Sequence, residues 1–163
     1  MMEARIECLC GMICSGKSTL ARRLAREENA VILSTDEFTR LWPDPLSSDR
    51  FDEFSRAVNA LLLRKAVEIA RAGANVVLDW GFWSRQNRRE VSETLRSAGI
   101  PFRWWYLDTP PEQIRRNAEK RNAAGGADVY FVDEGLLQKC LSRFEPPRPD
   151  EVDQWVNFSR TEE

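Results

Sequence analysis

The chain contains no histidine among its 163 residues, and this absence limits the chemistry available to it. Histidine is the side chain that most readily exchanges a proton near neutral pH, and it is a common zinc ligand. The four cysteines include no Cys-x-x-Cys pair, so the sequence offers no ligand set typical of zinc. Any proton transfer must therefore use another residue type.

Long apolar runs are also missing. No stretch approaches the roughly 18 residues that a membrane helix requires, and the first residues, "MMEARIECLC", are too few and too charged for a signal peptide. We therefore expect a cytoplasmic protein with no membrane partner. In that reducing compartment the four cysteines are expected to be free thiols.

The chain lacks an excess of positive charge. It has 24 basic and 26 acidic residues, for a formal net charge of −2, and this balance gives no extended field for gripping a long polyanion. Any phosphate binding must therefore be local. The length suits one domain spanning residues 1–163.

Apolar segments of strand length alternate with segments of helical period, which indicates an α/β fold with a parallel sheet. The predicted strands cover 5–10, 30–34, 75–79, 102–107 and 153–158. The predicted helices cover 17–28, 49–72, 84–98, 110–121 and 133–144. The segment "NAAGGAD" at 122–128 is predicted to be a mobile loop.

The most specific motif is "GMICSGKS" at residues 11–18, between the first predicted strand and the first predicted helix. It fits G-x-x-x-x-G-K-[ST], in which glycines let backbone N–H groups point at phosphate oxygens. Lys17 can reach the β and γ phosphates, and the Ser18 hydroxyl can ligate Mg²⁺. We therefore expect a nucleoside triphosphate here, held by Gly11, Met12, Ile13, Cys14, Ser15, Gly16, Lys17, Ser18 and Thr19.

The base of that nucleotide is expected to be adenine. Guanine specificity usually needs an Asn-Lys-x-Asp segment, and the chain has none. The size of the chain favours a small phosphotransferase over a motor or transporter ATPase.

Carboxylates follow two predicted strands at the edge of the sheet where the phosphate loop lies. Asp36 is the candidate general base for deprotonating an acceptor hydroxyl, with Glu37 as the adjacent alternative. Asp36 could instead cap the next short helix. Asp79, in "NVVLD", could hold Mg²⁺ alongside Ser18 or orient an acceptor hydroxyl, and the residues leave both roles open.

An aromatic and basic segment, "DWGFWSRQNRR", follows Asp79. Such side chains could form a platform for a planar or anionic acceptor, although the aromatics could equally pack in the core while the arginines face solvent. Arg40 and Trp42 would line the opposite wall. The candidate acceptor-binding residues are Asp36, Arg40, Asp79, Trp80, Trp83 and Arg85.

Taken in order, "GMICSGKST", "STDEF", "VVLDWGFWSR", "IRRNAEKRN" and "FEPPRPDE" resemble the small P-loop kinases of the AAA-33 type. These are related to chloramphenicol phosphotransferase, gluconate kinase and the polynucleotide kinase domain. The resemblance implies a three-layer fold with strand order 2-3-1-4-5 and a short lid at about 115–132. It also implies ATP and Mg²⁺ as cofactors, and residues 144–155 near the adenine.

The same resemblance implies lid arginines that neutralise charge on the transferring phosphoryl group. Arg115 and Arg121 match that role, whereas Arg116 is expected to face solvent. The catalytic set is then Lys17, Asp36, Arg115 and Arg121. A continuous helix cannot place Arg115 and Arg121 on one face, so a bend or the loop would have to bring both to the phosphates.

The leading hypothesis is an ATP-dependent kinase acting on a hydroxyl of a small molecule. A polynucleotide 5′-hydroxyl kinase is an alternative, disfavoured because the chain lacks a basic stripe for nucleic acid. A nucleotide-binding regulatory NTPase without an acceptor is a third possibility. Asp36 and the aromatic segment count against it, since a switch needs no acceptor base.

Overall fold

The structure, a computed structural model, describes residues 3–42, 49–125 and 131–157. Strands and helices alternate along most of the chain, as the hydrophobic pattern predicts. The strands are β1 (Ile6–Gly11), β2 (Ala30–Ser34), β3 (Asn75–Gly81), β4 (Phe102–Asp108) and β5 (Gln154–Asn157). The helices are α1 (Lys17–Glu28), α2 (Thr35–Thr39), α3 (Asp49–Arg71), α4 (Arg85–Ser97), α5 (Pro111–Ala124) and α6 (Glu134–Arg143), with a 3₁₀ turn at Pro149–Glu151.

The five strands form one parallel sheet in the order β2-β3-β1-β4-β5. The expected fold class and strand order are therefore confirmed. Because the strands are parallel, their carboxyl ends meet at one edge, with β1 and its loop in the centre. Ser34 at the end of β2 pairs in register with Asp79 of β3, so these two strand ends lie side by side.

Helices cover both faces of the sheet, which gives three layers. Alternate side chains of β1 point to opposite faces: Ile6, Cys8 and Cys10 join a core with α3 and α4, whereas Leu9 packs against Leu20 and Leu24 of α1. A third cluster joins the phosphate loop to α5 and α6. Packing on both faces explains why the strands read as nearly continuous apolar runs.

The longest helix, α3, covers 23 residues, with Val58, Leu62 and Ala66 buried along one side. Charged residues occupy much of its remaining surface. None of the helices in the described part of the chain is both long and apolar enough to cross a membrane.

Local signals place several helix starts. The Ser84 hydroxyl accepts a hydrogen bond from the Asn87 amide and caps α4, and Pro111 opens α5. α5 continues to Ala124, so residues 122–124 of the predicted loop are helical. Residues 126–128 of that loop, and residue 158 of the last predicted strand, lie outside the described residues.

Candidate active site

The loop between β1 and α1 has the backbone geometry of a phosphate cradle. Gly16 has φ 101°, a left-handed conformation that glycine adopts without steric cost, and Cys14 is also left-handed at φ 58°. Two side chains bind carbonyls of the loop: Thr109 Oγ1 donates to Ser15 O at 2.8 Å, and Asn117 Nδ2 donates to Cys14 O at 2.9 Å. These bonds fix the peptide planes of the loop.

The two glycines of the motif have different roles, and Gly11 differs from the expectation that both need unusual backbone angles. Gly11 does not adopt a left-handed φ. A Cβ at this position would lie 2.8 Å from Ser15 Oγ and 3.3 Å from Leu107 Cβ. Gly11 therefore permits close approach of the loop to β4, whereas Gly16 permits the turn into α1.

Lys17 folds back over the loop. Its ammonium donates to Gly11 O at 2.9 Å and to Met12 O at 2.7 Å. The Lys17 charge therefore lies over the loop backbone, next to the cradle that its residues form.

Ser18 and Asp79 come together across the base of the site. Ser18 Oγ donates to Asp79 Oδ2 at 2.9 Å, and only 9% of Asp79 is exposed. A hydroxyl and a carboxylate are oxygen ligands of the kind that Mg²⁺ prefers, and the described residues contain no cluster of three or more His, Cys, Asp or Glu side chains that could cage a metal. The pair could therefore supply two oxygen ligands to a magnesium ion.

Asp36 lies in the first turn of α2, directly beyond the end of β2. Ser34 is the N-cap residue of that helix, so Asp36 does not fill the cap position. Neighbouring protein atoms remove part of the hydration of the Asp36 carboxylate. This loss of hydration raises the pKa of Asp36 above its ordinary value. Lys17 opposes that rise and Asp79 adds to it, so the phosphate loop and the β3 carboxylate both act on the Asp36 charge.

One cavity of about 880 Å³ opens beside the phosphate loop. Most of the predicted site residues line it: Ile13, Cys14, Ser15, Gly16, Lys17, Ser18, Thr19, Asp36, Asp79, Trp80, Trp83 and Arg121. Loop, candidate base, candidate metal ligands and one predicted lid arginine therefore share a single space.

Four polar residues of α3 on the cavity wall were missed by the sequence reading. They are Asp52, Ser55, Arg56 and Asn59. Their spacing of three, four and seven residues is the period of one helical face, and this was the signal that could have identified them. Asn59 Oδ1 accepts a hydrogen bond from Thr35 Oγ1 at 2.7 Å, which ties this face to the residue next to Asp36.

Ion pairs join α3 to α6 at the cavity. Asp52 lies 3.3 Å from Lys139 Nζ and 2.7 Å from Arg143 Nη1, and all three residues line the cavity. Hydrogen bonds from Arg143 and Lys139 hold the pKa of Asp52 below its ordinary value, against the opposing effect of burial. The first turn of α3 is therefore linked electrostatically to the last two turns of α6.

The aromatic segment after Asp79 divides between core and cavity. Phe82 is 3% exposed and stacks against Trp80 with ring centroids 5.2 Å apart, and the Trp80 indole donates to Leu33 O at 3.0 Å. Gly81 is left-handed at φ 87°, and a Cβ there would lie 2.7 Å from Trp83 Nε1. Trp80 and Trp83 line the cavity, so the aromatic residues of this segment are divided between the core and the cavity wall.

Arg85, proposed from sequence as an acceptor-binding residue, is not brought into the cavity. It lies 3.7 Å from Glu151, which also accepts a hydrogen bond from Arg88 Nε at 3.1 Å. The first turn of α4 instead turns Gln86 and Asn87 toward the cavity. Arg88 is 3% exposed and donates to Phe82 O at 2.8 Å, which supports the left-handed Phe82 backbone at φ 52°.

The two predicted lid arginines lie on different faces of α5. Arg121 lines the cavity, with Nη1 3.9 Å from Cys14 Sγ. Arg115 lies 3.5 Å from Glu134 of α6 and does not line it. α5 is one continuous helix through both positions, so six residues of separation send them to different faces. Arg116 is exposed, as expected, and part of the expected lid, residues 126–130, lies outside the described residues.

Two further expectations about the cavity walls were wrong. Arg40 lines a second, smaller cavity of about 380 Å³ on the other side of Asp36. Trp42 stacks on Phe54 of α3 with ring centroids 4.9 Å apart and lines neither cavity. The wall expected from these two residues is formed by α3.

The adenine position assigned to residues 144–155 has no support in this arrangement. None of these residues lines either cavity. The segment packs beside the sheet instead: Phe144 stacks on Tyr106 at 6.2 Å, and the Glu145 amide donates to Trp83 O at 2.7 Å. Its prolines therefore shape the return to β5.

Strand order, loop and the Ser18–Asp79 pair together define a P-loop NTPase fold of the kinase type. The chain belongs to the AAA_33 family of AAA domains, whose family model matches residues 7–147. The curated protein sequences give no significant match.

Several solved structures share the fold at low sequence identity. A sugar kinase from Janibacter sp. HTCC2649 is 24% identical, with 96% of this chain and 87% of that chain covered and a TM-score of 0.69. Kti12 from Chaetomium thermophilum, in complex with ADP-AlF3, is 15% identical over 97% and 90%, with a TM-score of 0.72. The APS kinase CysC of Mycobacterium tuberculosis, in complex with AMPPNP and APS, is 20% identical over 99% and 92%, with a TM-score of 0.63.

Proposed function

We propose that this protein is a kinase that transfers the γ-phosphoryl group of ATP to a hydroxyl of a small molecule. The observation that carries the proposal is that Asp36 faces the same cavity as Lys17 and the phosphate loop. A switch protein needs the loop but has no use for a carboxylate beside a separate acceptor space. The cavity, at about 880 Å³, is within the range typical of small-molecule sites.

Each site residue has a distinct role in the proposed reaction. The loop amides and the α1 amino terminus bind the phosphates, and Lys17 moves from the loop carbonyls to the β and γ phosphate oxygens. Asp36 accepts the proton of the acceptor hydroxyl as its oxygen forms the new bond to the γ phosphorus, while the bond from that phosphorus to the β-phosphate oxygen breaks and ADP leaves. Arg121 neutralises charge on the transferring group.

Ser18 and Asp79 are the residues that would hold Mg²⁺. There the ion would supply positive charge that offsets the negative charge of the phosphates. The Ser18–Asp79 hydrogen bond supports this role for Asp79 over direct orientation of the acceptor, because the carboxylate is turned toward the loop.

The similar solved structures support the class of nucleotide in this proposal. The Kti12 structure contains ADP-AlF3, and the APS kinase structure contains AMPPNP. Both ligands are adenine nucleotides or analogues, which favours ATP as the phosphoryl donor here. The net charge of −2 makes a long nucleic acid the weaker acceptor candidate.

Product analysis tests the proposal directly. The protein is incubated with γ-labelled ATP, Mg²⁺ and separate pools of nucleosides, sugars, aminoglycosides and oligonucleotides. Label is expected in one small-molecule pool, and it should be lost in the Lys17→Ala variant. Label found only in oligonucleotides would identify a polynucleotide kinase, and label released only as free phosphate would contradict any kinase.

A further inference from the structure

The cavity has an acceptor side that is distinct from the phosphate loop. It is formed by the amino-terminal halves of α3 and α4, two of the helices that start at the carboxyl edge of the sheet. Asn59 is the residue of α3 that lies beside Asp36. Its amide oxygen accepts a hydrogen bond from the hydroxyl of Thr35, the neighbour of Asp36.

Arg56 lies on the same face of α3, three residues before Asn59. Three residues of helix rise about 4.5 Å, so Arg56 is placed nearly one turn closer to the amino-terminal end of α3 than Asn59. Its side chain is exposed and lines the cavity. A molecule with its reacting hydroxyl at Asp36 would therefore meet Arg56 several bonds away.

The guanidinium of Arg56 has no ion pair with any residue in the described ranges 3–42, 49–125 and 131–157. Nearby cationic groups are already engaged: Lys139 and Arg143 both pair with Asp52, four residues before Arg56. A planar guanidinium with free donors matches a carboxylate or a phosphate, because it can form two parallel hydrogen bonds with either.

The opposite wall is polar and carries one carboxylate among its named groups. Gln86 and Asn87 of α4 line the cavity beside Glu90, whose carboxylate accepts a hydrogen bond from Gln86 Nε2 at 2.9 Å. Amide and carboxylate groups of this kind bind hydroxyls. Among the residues that the structure describes, the acceptor side thus combines the unpaired guanidinium of Arg56 on α3 with hydroxyl-binding groups on α4.

We infer that the acceptor is a small polyhydroxy compound with an anionic group, a carboxylate or a phosphate, that binds to Arg56. This inference rests on the proposed kinase function and deepens it by naming a substrate class. Arg56 binds the anionic end of the acceptor, whereas the groups around Asp36 position the reacting hydroxyl.

The first experiment uses the full chain with γ-labelled ATP, Mg²⁺ and three acceptor pools: neutral sugars and polyols, sugar acids, and sugar phosphates. Label is expected in one of the two anionic pools, and the pool that takes it distinguishes carboxylate from phosphate. Arg56→Gln should raise the acceptor KM by about 10- to 100-fold, the value of a hydrogen bond to a charged group, with kcat within a few-fold of wild type. Arg56→Lys should restore part of the loss.

The second experiment measures binding without turnover. The phosphorylated pool, or gluconate and glucose 6-phosphate if none is phosphorylated, is titrated into the protein with AMPPNP present. Arg56→Gln should weaken anion binding, whereas Arg64→Gln, an exposed arginine on the same helix outside the cavity, should not.

The outcomes separate the two proposals. Label in the neutral pool, or an acceptor KM unchanged by Arg56→Gln, overturns the role of Arg56 and leaves the kinase intact. Label released only as phosphate overturns the kinase, and the titration then decides Arg56 alone. Anion binding that is absent, or equal in wild type and Arg56→Gln, overturns the Arg56 site.

Discussion

The hydroxyl of Ser18 donates a hydrogen bond of 2.9 Å to the carboxylate of Asp79, and this bond connects the first turn of α1 to β3. Asp79→Asn replaces a charged acceptor by a neutral amide. We expect the Mg²⁺ concentration needed for half-maximal activity to rise by about 10- to 100-fold. A Mg²⁺ titration of activity measures the change.

Asp108→Asn is the matched control for this substitution. Asp108 also ends a strand, β4, but it accepts a hydrogen bond from the Trp155 indole and lies outside both cavities. Its Mg²⁺ dependence should match wild type. A normal Mg²⁺ requirement in Asp79→Asn would remove Asp79 from the metal site.

The proposed general base gives a second prediction. Asp36→Asn should leave ATP affinity nearly intact and lower transfer by roughly 10² or more, because an amide cannot accept the proton. ATP binding is measured by calorimetry and transfer by ADP release. Glu37→Gln should be close to wild type; the reverse pattern would assign the base to Glu37.

The pH dependence follows from the raised pKa of Asp36. The base works only when ionised, so activity falls as pH drops through this pKa, and the acid limb of kcat/KM should lie above the ordinary aspartate value of about 3.9. Arg40 lowers the pKa of Asp36. Arg40→Gln should therefore move the acid limb to higher pH, and an unmoved or lowered limb would contradict the assignment.

Two arginines of α5 provide a matched pair. Arg121→Gln should lower kcat by about 10³ or more, because Arg121 faces the phosphate loop and would neutralise charge in the transition state. Arg115→Gln removes only an exposed pair with Glu134 and should keep nearly full activity. Equal losses in both variants would show that α5 rearranges when nucleotide binds.

A stability prediction concerns Arg88. Arg88→Met leaves Glu151 and the Phe82 carbonyl without a buried partner, and the free energy of unfolding should fall by about 2–4 kcal/mol. Urea denaturation measures it. The exposed neighbour Arg89→Met should stay within about 0.5 kcal/mol of wild type, and a similarly small effect in Arg88→Met would be inconsistent with the buried contacts.

Much of the fold could be predicted because its signals are local. Strand-length apolar runs, proline at the start of α5 and serine at the start of α4 each act within a few residues. The positions of Asp36 and Asp79 followed from the rule that parallel strands end at one edge. The strand order needed the family resemblance, since spacing along the chain does not determine which strands pair.

The cavity walls could not be predicted from local signals because each depends on helix rotation. Arg115 and Arg121 lie on different faces because α5 is one continuous helix. Arg85 pairs with Glu151, which lies 66 positions later in the chain. The α3 face with Asp52 and Arg56 was visible as a polar stripe. The sequence did not predict that this face lines the cavity, because the orientation of the face depends on how α3 packs against the sheet.

The folded-back position of Lys17 also has a consequence for ligand choice. Its ammonium already has two good acceptors in the Gly11 and Met12 carbonyls, so a ligand gains from Lys17 only by the difference between its own oxygens and those carbonyls. A neutral oxygen offers almost no difference, whereas a phosphate oxygen offers the extra strength of a charged acceptor. The loop carbonyls thus compete with a ligand for Lys17, and this competition selects charged oxygens before any base or acceptor is recognised.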